Sequence, residues 1–322
     1  MRKNLRYLAV GLLLGLALTG PANRAASQAV ADNAADLSVE HPLYSVGAGP
    51  LVAVDEGHNN YHTLDGRYAP FGALLKNDGY RLVSLQGRFD QAALAPVRVL
   101  VVANPLAATN VASWTLPTPS AFDDREIAAV EAWVRNGGAL FLIADHMPFA
   151  GAADKLAQAF GFRFENVYAV KGDGRSPEIF NRLTNTLEDT EIARGRDGRR
   201  AVEQVQSFTG SAFRAPPTAT TILALDEGWT LLYPFEAGEF GAEIPRRTAT
   251  QADLRGAALD YGKGRVVVFS EAAMFTNQLV RGASVGFGRP TATHNKRFLL
   301  NIVEWLSRPD AAATPPAKAP LP

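Results

Sequence analysis

Histidine and carboxylate side chains follow short apolar runs of this 322-residue sequence, and these residue types carry acid–base and metal chemistry. His58 stands three residues after Asp55, and His146 stands directly after Asp145. Each pair comes immediately after a run of apolar residues. Because the carboxyl ends of parallel strands border the ligand crevice of open sheets, the sequence predicts a polar functional site at that edge.

The first of these segments contains two histidines four residues apart, His58 and His62. Neutral imidazole and carboxylate groups suit zinc, iron or manganese, so a divalent transition metal is one expectation. The metal ligands would be His58, His62 and His146. Asn60 lies between the two histidines and is a candidate substrate ligand. The alternative is a polar, hydrogen-bonded loop that only caps the segment at residues 68–77.

The second segment brings Asp145 and His146 out of a strand with almost no polar side chain. A neighbouring Asp–His pair can orient a tautomer, bind a metal, or act as acid and base, and a purely structural turn is the alternative. Glu271 follows another apolar run and is expected to reach the same edge, as a metal ligand or general base. Its alternative role is to stabilise the start of the next helix. The catalytic candidates are therefore Asp55, His58, Asp145, His146 and Glu271.

Two further polar residues are candidate substrate ligands. Asn104 ends the third predicted strand, where its amide could donate hydrogen bonds to a ligand. His294 lies at the start of a predicted helix, whose dipole would lower its pKa and keep the ring neutral. A surface histidine without a role fits the same position.

Strands and helices alternate along the chain and must position these side chains. Short apolar runs predict strands at residues 51–54, 82–85, 97–103, 139–144 and 265–269. The clearest helix covers residues 124–135, with Asp123 as N-cap and Glu126 completing a capping box. Strands that alternate with helices predict a parallel sheet covered on both faces.

Several segments together resemble an uncharacterised bacterial branch of the class I glutamine amidotransferase-like superfamily. They are residues 51–62, 71–80 and 122–149, the Gly262-Lys263-Gly264-Arg265 turn, and the closing helix to Trp305. The resemblance implies a flavodoxin-like, doubly wound α/β fold with a mainly parallel sheet. The looser pattern at about residues 162–254 predicts a β-rich insertion. Enzymes of that superfamily carry a cysteine at a strand-to-helix elbow, which would fall near Asp145 and His146. The chain has no cysteine, and this excludes amidotransferase chemistry. The resemblance therefore implies the architecture only.

The amino terminus has the pattern of an export signal, with Arg2, Lys3 and Arg6 before an apolar stretch at residues 7–19. We expect residues 1–29 to be a signal peptide, and the mature protein to be periplasmic or secreted without a transmembrane segment. The remaining chain divides into a leader segment at 30–48, an α/β domain at 49–308, and an Ala/Pro tail at 309–322 that is expected to be disordered.

Composition narrows the classes of function. Whole-chain charge is balanced, with 32 basic and 32 acidic side chains, and removal of a basic signal peptide leaves a mildly acidic protein. Such a protein lacks the electrostatic footprint of a nucleic-acid binder. Two classes remain. One is a secreted hydrolase-like enzyme, metal-dependent or not, that acts on a small-molecule or envelope ligand. The alternative is a non-catalytic envelope binding module for a sugar, peptide or protein partner.

Overall fold

The structure, a computed structural model, describes residues 29–32, 34–174, 176–196, 198 and 200–309. The predicted signal peptide lies outside these residues except for its last position, and so does the predicted tail beyond residue 309. Within the described part of the chain, no helix is long and apolar enough to span a bilayer.

Sixteen strands and six α-helices are described. The strands are β1 (Val30–Ala31), β2 (Leu51–Asp55), β3 (Arg81–Leu85), β4 (Val99–Ala103), β5 (Ala139–Ile143), β6 (Arg163–Lys171), β7 (Glu178–Asn181), β8 (Gln204–Ser207), β9 (Gly210–Arg214), β10 (Thr220–Ala224), β11 (Trp229–Leu232), β12 (Arg246–Thr248), β13 (Leu254–Tyr261), β14 (Gly264–Phe269), β15 (Asn277–Val280) and β16 (Ala283–Gly286). The helices are α1 (Ala69–Asn77), α2 (Gln91–Leu94), α3 (Asp124–Arg135), α4 (Phe149–Gln158), α5 (Glu191–Arg194) and α6 (Asn295–Ser307). Two 3₁₀ helices cover Ala108–Asn110 and Ala273–Phe275.

Eleven strands form one mixed sheet. Their order is β12-β11-β6-β9-β13-β14-β5-β4-β2-β3, with β10 paired to β13. The five strands from β14 to β3 run parallel, and the strands from β12 to β13 pair antiparallel. Two smaller antiparallel sheets contain β1, β15 and β16, and β7 and β8.

The predicted fold class, a flavodoxin-like, doubly wound and mainly parallel sheet, is wrong. Nine of the thirteen strand pairings in the described residues are antiparallel. Most strands between residues 163 and 261 extend the main sheet, although we expected them to form an insertion. Only Gly262 and Lys263 separate β13 from β14, and a connection that short can join only antiparallel neighbours. An apolar run indicates a strand but not its direction.

The parallel strands are buried on both faces. In β2, Val52 and Val54 belong to one apolar layer with α1 and α6, and Ala53 belongs to another with α2, α3 and α4. Strands β4 and β5 alternate in the same way. A strand covered on both faces is apolar throughout, which explains why these strands could be located from the sequence.

Helix α3 begins with the predicted capping box. Asp123 accepts hydrogen bonds from the backbone N–H groups of Arg125 and Glu126, and Glu126 accepts one from the N–H of Asp123. The predicted helix and its cap are therefore confirmed.

We expect Asp123→Ala to lower the free energy of unfolding by about 0.5–2 kcal/mol, because the N–H groups at the start of α3 lose their acceptor. Urea denaturation measures the loss. Asp123→Ser keeps an oxygen acceptor and should recover most of the stability. Equal losses in both variants would contradict the capping role.

Candidate functional site

Polar side chains emerge at the carboxyl ends of the parallel strands. Asp55 is the last residue of β2, and Asn104 directly follows β4. Asp145 and Glu271 lie two residues after β5 and β14. These ends meet at one edge of the sheet because the strands run parallel. The side chains form two hydrogen-bonded groups.

The first group, the His58 bridge, consists of Asp55, His58 and Glu126. Nδ1 of His58 lies 2.8 Å from Oδ1 of Asp55, and Nε2 lies 3.0 Å from Oε1 of Glu126. The rings of Phe89 and Phe122 pack against the imidazole, with centroids 4.5 and 4.6 Å away. Both ring nitrogens of this buried histidine are therefore engaged by carboxylates.

Electrostatics favour the charged form of His58. Burial lowers its pKa, but hydrogen bonds and charges of Asp55 and Glu126 outweigh burial and raise the pKa above its ordinary value. An imidazolium has two N–H donors and can satisfy both carboxylates. Asp55 also accepts from the Asn60 amide at 2.9 Å and the Gly57 backbone N–H at 3.1 Å. The bridge thus ties the loop after β2 to helix α3 and presents no unengaged acid or base.

Asn104 is the centre of the second group. Its φ of 49° lies in the left-handed region, which asparagine adopts more readily than most residues. Its amide nitrogen donates to Oδ2 of Asp145 at 2.9 Å and to Nδ1 of His62 at 3.1 Å. Its Oδ1 accepts from the Asp145 backbone N–H at 2.8 Å. Because both polar atoms of its amide are engaged internally, Asn104 positions Asp145 and His62 in this structure.

His62 is a buried neutral histidine. Burial, with a smaller contribution from the positive charge of Arg67, lowers its pKa to about 3. Nδ1 can therefore accept the hydrogen bond from Asn104. On the other side of the ring, Nε2 lies 3.4 Å from the side-chain nitrogen of Gln278.

Asp145 and Glu271 form a buried carboxyl pair. Asp145 accepts from the backbone N–H of Ala272 at 3.1 Å, and Glu271 accepts from those of Ala273 and Met274 at 2.7 and 2.9 Å. Glu271 therefore also stabilises the start of a 3₁₀ helix. Burial raises the pKa of both acids, and the charge of Asp145 raises the pKa of Glu271 further. The pair consequently keeps a proton to higher pH than exposed acids do.

His146 is half-buried beside the carboxyl pair. Its Nδ1 lies 2.7 Å from the carbonyl oxygen of Met147 and donates to it, which leaves Nε2 without a proton in the neutral ring. No described residue forms a hydrogen bond with Nε2. Burial lowers the pKa of His146 and outweighs the opposing charge of Asp145. A neutral imidazole with an unengaged Nε2 is suited to act as a general base.

Aromatic rings surround His146. Its imidazole stacks on Tyr168, with centroids 4.2 Å apart and an interplanar angle of 15°. Phe149 and Trp114 lie 5.8 and 6.3 Å away. Tyr61 contacts both of these rings, at 5.4 and 5.2 Å. The base therefore lies among apolar walls.

The three predicted metal ligands, His58, His62 and His146, are not brought together as a metal-binding group. Both nitrogens of His58 face carboxylates, and His62 lies between two amides. In the part of the chain that the structure describes, no three or more His, Cys, Asp or Glu side chains are arranged to hold a metal ion. We propose no metal site from these residues.

His294 precedes α6 and shares no hydrogen bond with either group among the described residues. Its Nδ1 accepts from the backbone N–H groups of Glu203 and Gln204 at 3.1 and 3.3 Å. Burial lowers its pKa. The ring therefore connects the start of β8 to α6, and its contact with substrate stays a prediction. Of the other candidates, the second group and its neighbours contain His62, Asn104, Asp145, His146 and Glu271. The His58 bridge contains Asp55 and His58, and Asn60 donates to Asp55 from outside the bridge.

Three residues near the site were missed from the sequence. Glu126 was interpreted only as a capping residue, because no local pattern reveals a partner 68 positions away. Tyr68 donates to the Ala272 carbonyl at 3.1 Å, and burial and the charges of the carboxyl pair raise its pKa. Arg255 lies in a buried, mostly apolar strand. A charged residue in such a strand is a signal that could have found it.

The fold and the site define a class of protein. Proteins of this class have a mixed sheet with histidine and carboxyl groups at the carboxyl ends of its parallel strands. Residues 68–283 match the family described as a domain of unknown function (DUF4350), and the chain belongs to this family. No curated protein matches the chain.

Solved structures match the chain at low sequence identity. The mmIFT52 N-terminal domain is 12% identical and covers 81% of this chain and 99% of its own, with a TM-score of 0.56. Two cytoplasmic proteins of Salmonella typhimurium, STM3548 and STM1381, are 11% and 14% identical. Each match covers 80% of this chain and has a TM-score of 0.47. The matches cover 99% of STM3548 and 100% of STM1381. The resemblance to the amidotransferase-like superfamily is untested by these matches and stays a prediction.

Proposed function

We propose that the protein is a hydrolase-like enzyme that acts on a small-molecule or envelope ligand after export from the cytoplasm. The observation that carries this proposal is the unengaged Nε2 of His146 beside the buried carboxyl pair of Asp145 and Glu271. Export is supported by the basic and apolar pattern of residues 2–19.

The groups around His146 suit acid–base hydrolysis. Nε2 takes a proton from water as the water oxygen attacks the electrophilic atom of the ligand. The carboxyl pair gives a proton to the leaving group, since burial keeps it protonated where an exposed acid would be ionised. The proton of the pair stays on Glu271 beside the charged Asp145. Asp145 is 8% exposed and Glu271 is 0% exposed, so the proton passes to a ligand through Asp145. The proton on His146 returns to the pair through solvent.

The surroundings of His146 favour a ligand with both polar and apolar parts. Trp114 and Tyr61 are half-buried; Trp114 lies beside the imidazole, and Tyr61 packs against Trp114. Phe240 contacts Tyr168 with a centroid distance of 4.9 Å and is itself exposed. An apolar face of the ligand packs against these rings, and its scissile bond lies at Nε2.

A second function, a non-catalytic binding module for a sugar, peptide or protein partner, is favoured by a different observation. Leu116 and Phe235 are 39% and 63% exposed, and the Leu116 N–H donates to the Phe235 carbonyl at 2.9 Å. The two exposed apolar residues are therefore on adjacent backbone segments, and a contiguous apolar patch at this place would be typical of a binding surface. Such a module needs this surface but not the Nε2 of His146, and this difference separates the two functions.

Chromogenic esters, phosphoesters and glycosides test the enzyme hypothesis. We expect the wild-type protein to release chromophore from one class, and Asp145→Asn to do so about 100-fold more slowly because the leaving group loses its acid. Asp65→Asn, at an exposed position, is the matched control and should equal the wild type. Undiminished release by Asp145→Asn would contradict the assignment. Ligand retention without turnover, lost in Phe235→Ala, would favour the binding module.

A further inference from the structure

Arg255 is a fully buried arginine in β13 whose hydrogen bonds are incomplete. Its Nη1 donates to the carbonyl oxygens of Ser211 and Ser270 at 2.6 and 3.2 Å. Its Nε and Nη2 are buried and have no hydrogen-bond partner among the described residues. The guanidinium lies 4.9 Å from the centre of the Trp229 ring. A buried charge is costly unless opposite charges compensate for it, so its neighbours must explain why it is there.

The neighbours of the Arg255 guanidinium include carboxyl groups. Nη2 of Arg255 lies 3.5 Å from Oε2 of Glu178, the first residue of β7. Glu271 also lies close to Arg255, since both contact the space beside Gly210. A methyl group added to Gly210 would come within 2.3 Å of Nη1 of Arg255 and 3.0 Å of Cβ of Glu271. Arg255 and Glu271 therefore flank the same short piece of backbone.

Together with Asp145 these residues form a charge cluster of three acids and one base: Asp145, Glu178, Glu271 and Arg255. Glu178 is held by the Ser207 hydroxyl and by the Thr209 N–H at 3.1 Å. If all three acids were ionised, the cluster would carry two uncompensated negative charges in a buried environment. Such an arrangement favours retention of a proton on one acid.

Other titratable groups that face the carboxyl pair do not supply the missing positive charge. Burial lowers the pKa of His146, which favours its neutral form. Burial and the charge of Asp145 raise the pKa values of Tyr68 and Tyr168, so both phenols stay neutral. Among the described residues, Arg255 is thus the cation whose charge lowers the pKa of both members of the pair.

We infer that Arg255 is a positioning residue that sets how many protons the carboxyl pair holds at neutral pH, with Glu178 acting in the opposite direction. The guanidinium stabilises one ionised carboxylate, and the other acid keeps its proton. A pair in this state contains both a proton donor and a proton acceptor. The inference deepens the proposed function and rests on it only for its catalytic meaning.

The test is a ¹³C NMR titration of the full protein, labelled at the carboxyl carbons of aspartate and glutamate. In Arg255→Met we expect the titration midpoint of Asp145 and Glu271 to move to higher pH by about one pH unit or more, because a stabilising positive charge is lost. In Glu178→Gln it should move to lower pH, because a repelling negative charge is lost. Arg255→Lys keeps the charge and should restore most of the wild-type midpoint.

The opposite signs separate charge setting from a purely structural role. The inference would be overturned if the titration midpoint moved in the same direction in Arg255→Met and Glu178→Gln. It would also be overturned if the midpoint did not move in Glu178→Gln. If Arg255→Met does not fold, Glu178→Gln and Arg255→Lys still decide the outcome. Glu40→Gln, at a side chain that is 89% exposed, is the control and should leave the midpoint unchanged. The titration uses no substrate, so its result is independent of whether the protein proves to be a hydrolase.

Discussion

Replacement of His58 by alanine is expected to lower the free energy of unfolding by about 3–5 kcal/mol, the cost of removing one partner from a buried ion pair. Asp55 and Glu126 would remain in the core without the donor that lies 2.8 and 3.0 Å from them. The rings of Phe89 and Phe122 would also lose their contact with the imidazole. Urea denaturation at pH 6, followed by circular dichroism, measures the loss.

His41→Ala is the matched control, because its side chain is 67% exposed. We expect its unfolding free energy to equal that of the wild type. A loss below about 1 kcal/mol in His58→Ala would be typical of a surface position and would refute the bridge. Glu126→Gln in the His58→Ala background should recover part of the stability, since it removes one of the two unpaired charges.

The same bridge predicts a pH dependence of known sign. The folded-state pKa of His58 is raised above the ordinary value of 6.5, so the folded protein binds this proton more tightly than the unfolded chain does. The stabilisation is fully present below pH 6.5 and is lost as the pH rises through the folded-state value. The stability difference between wild type and His58→Ala should therefore be larger at pH 6 than at pH 9. A difference that grows with pH would contradict the assignment.

Replacement of His146 by alanine is expected to lower kcat/KM for a hydrolysed substrate by about 10²–10⁴-fold, the contribution of a positioned general base. The variant loses Nε2, which has no hydrogen-bond partner among the described residues. It also loses the hydrogen bond from Nδ1 to the Met147 carbonyl oxygen, which orients the ring. Its stability should change much less than that of His58→Ala, because His146 is half-buried and, among the described residues, hydrogen-bonds to Met147 alone. Steady-state kinetics, together with thermal unfolding, separate the two effects.

The pH profile gives this prediction a second test. Burial lowers the pKa of His146 below 6.5, so the neutral base persists in mildly acidic solution. Wild-type kcat/KM should hold its value at pH 6.5 and fall only at lower pH, when the imidazole becomes protonated. The residual rate of His146→Ala should lack that acidic limb. If the fall of kcat/KM at low pH were unchanged in the variant, another group would cause it. His146 would then have no place in the proposed mechanism.

Much of the framework around the site could be predicted. The apolar runs that became β2, β4 and β5 were located because each strand is buried on both faces and contains no polar interruption. The capping box of α3 was readable because it involves only Asp123 and the next three residues. Polar residues directly after these strands indicated where to look for a site.

The direction of each strand and the strand with which it pairs could not be predicted in the same way. An antiparallel strand that is buried on both faces shows the same continuous apolar run as a parallel strand, so the antiparallel pairs beyond β14 were misjudged. His58 and His146 also looked equivalent, since each lies near an aspartate after an apolar run. Only the approach of Glu126 to His58, and the absence of any such partner for Nε2 of His146 in the described residues, distinguishes them.

The sequence by itself determined which segments are buried and which side chains follow them, because both depend on residues that are near neighbours in the chain. The tertiary structure decided which acid faces which base. Asp145 reaches the backbone of Ala272 across 127 positions, and Glu126 reaches His58 across 68. Charge and pKa depend on distance and burial in space, so the chemistry of each histidine is set only when the sheet and its helices pack together.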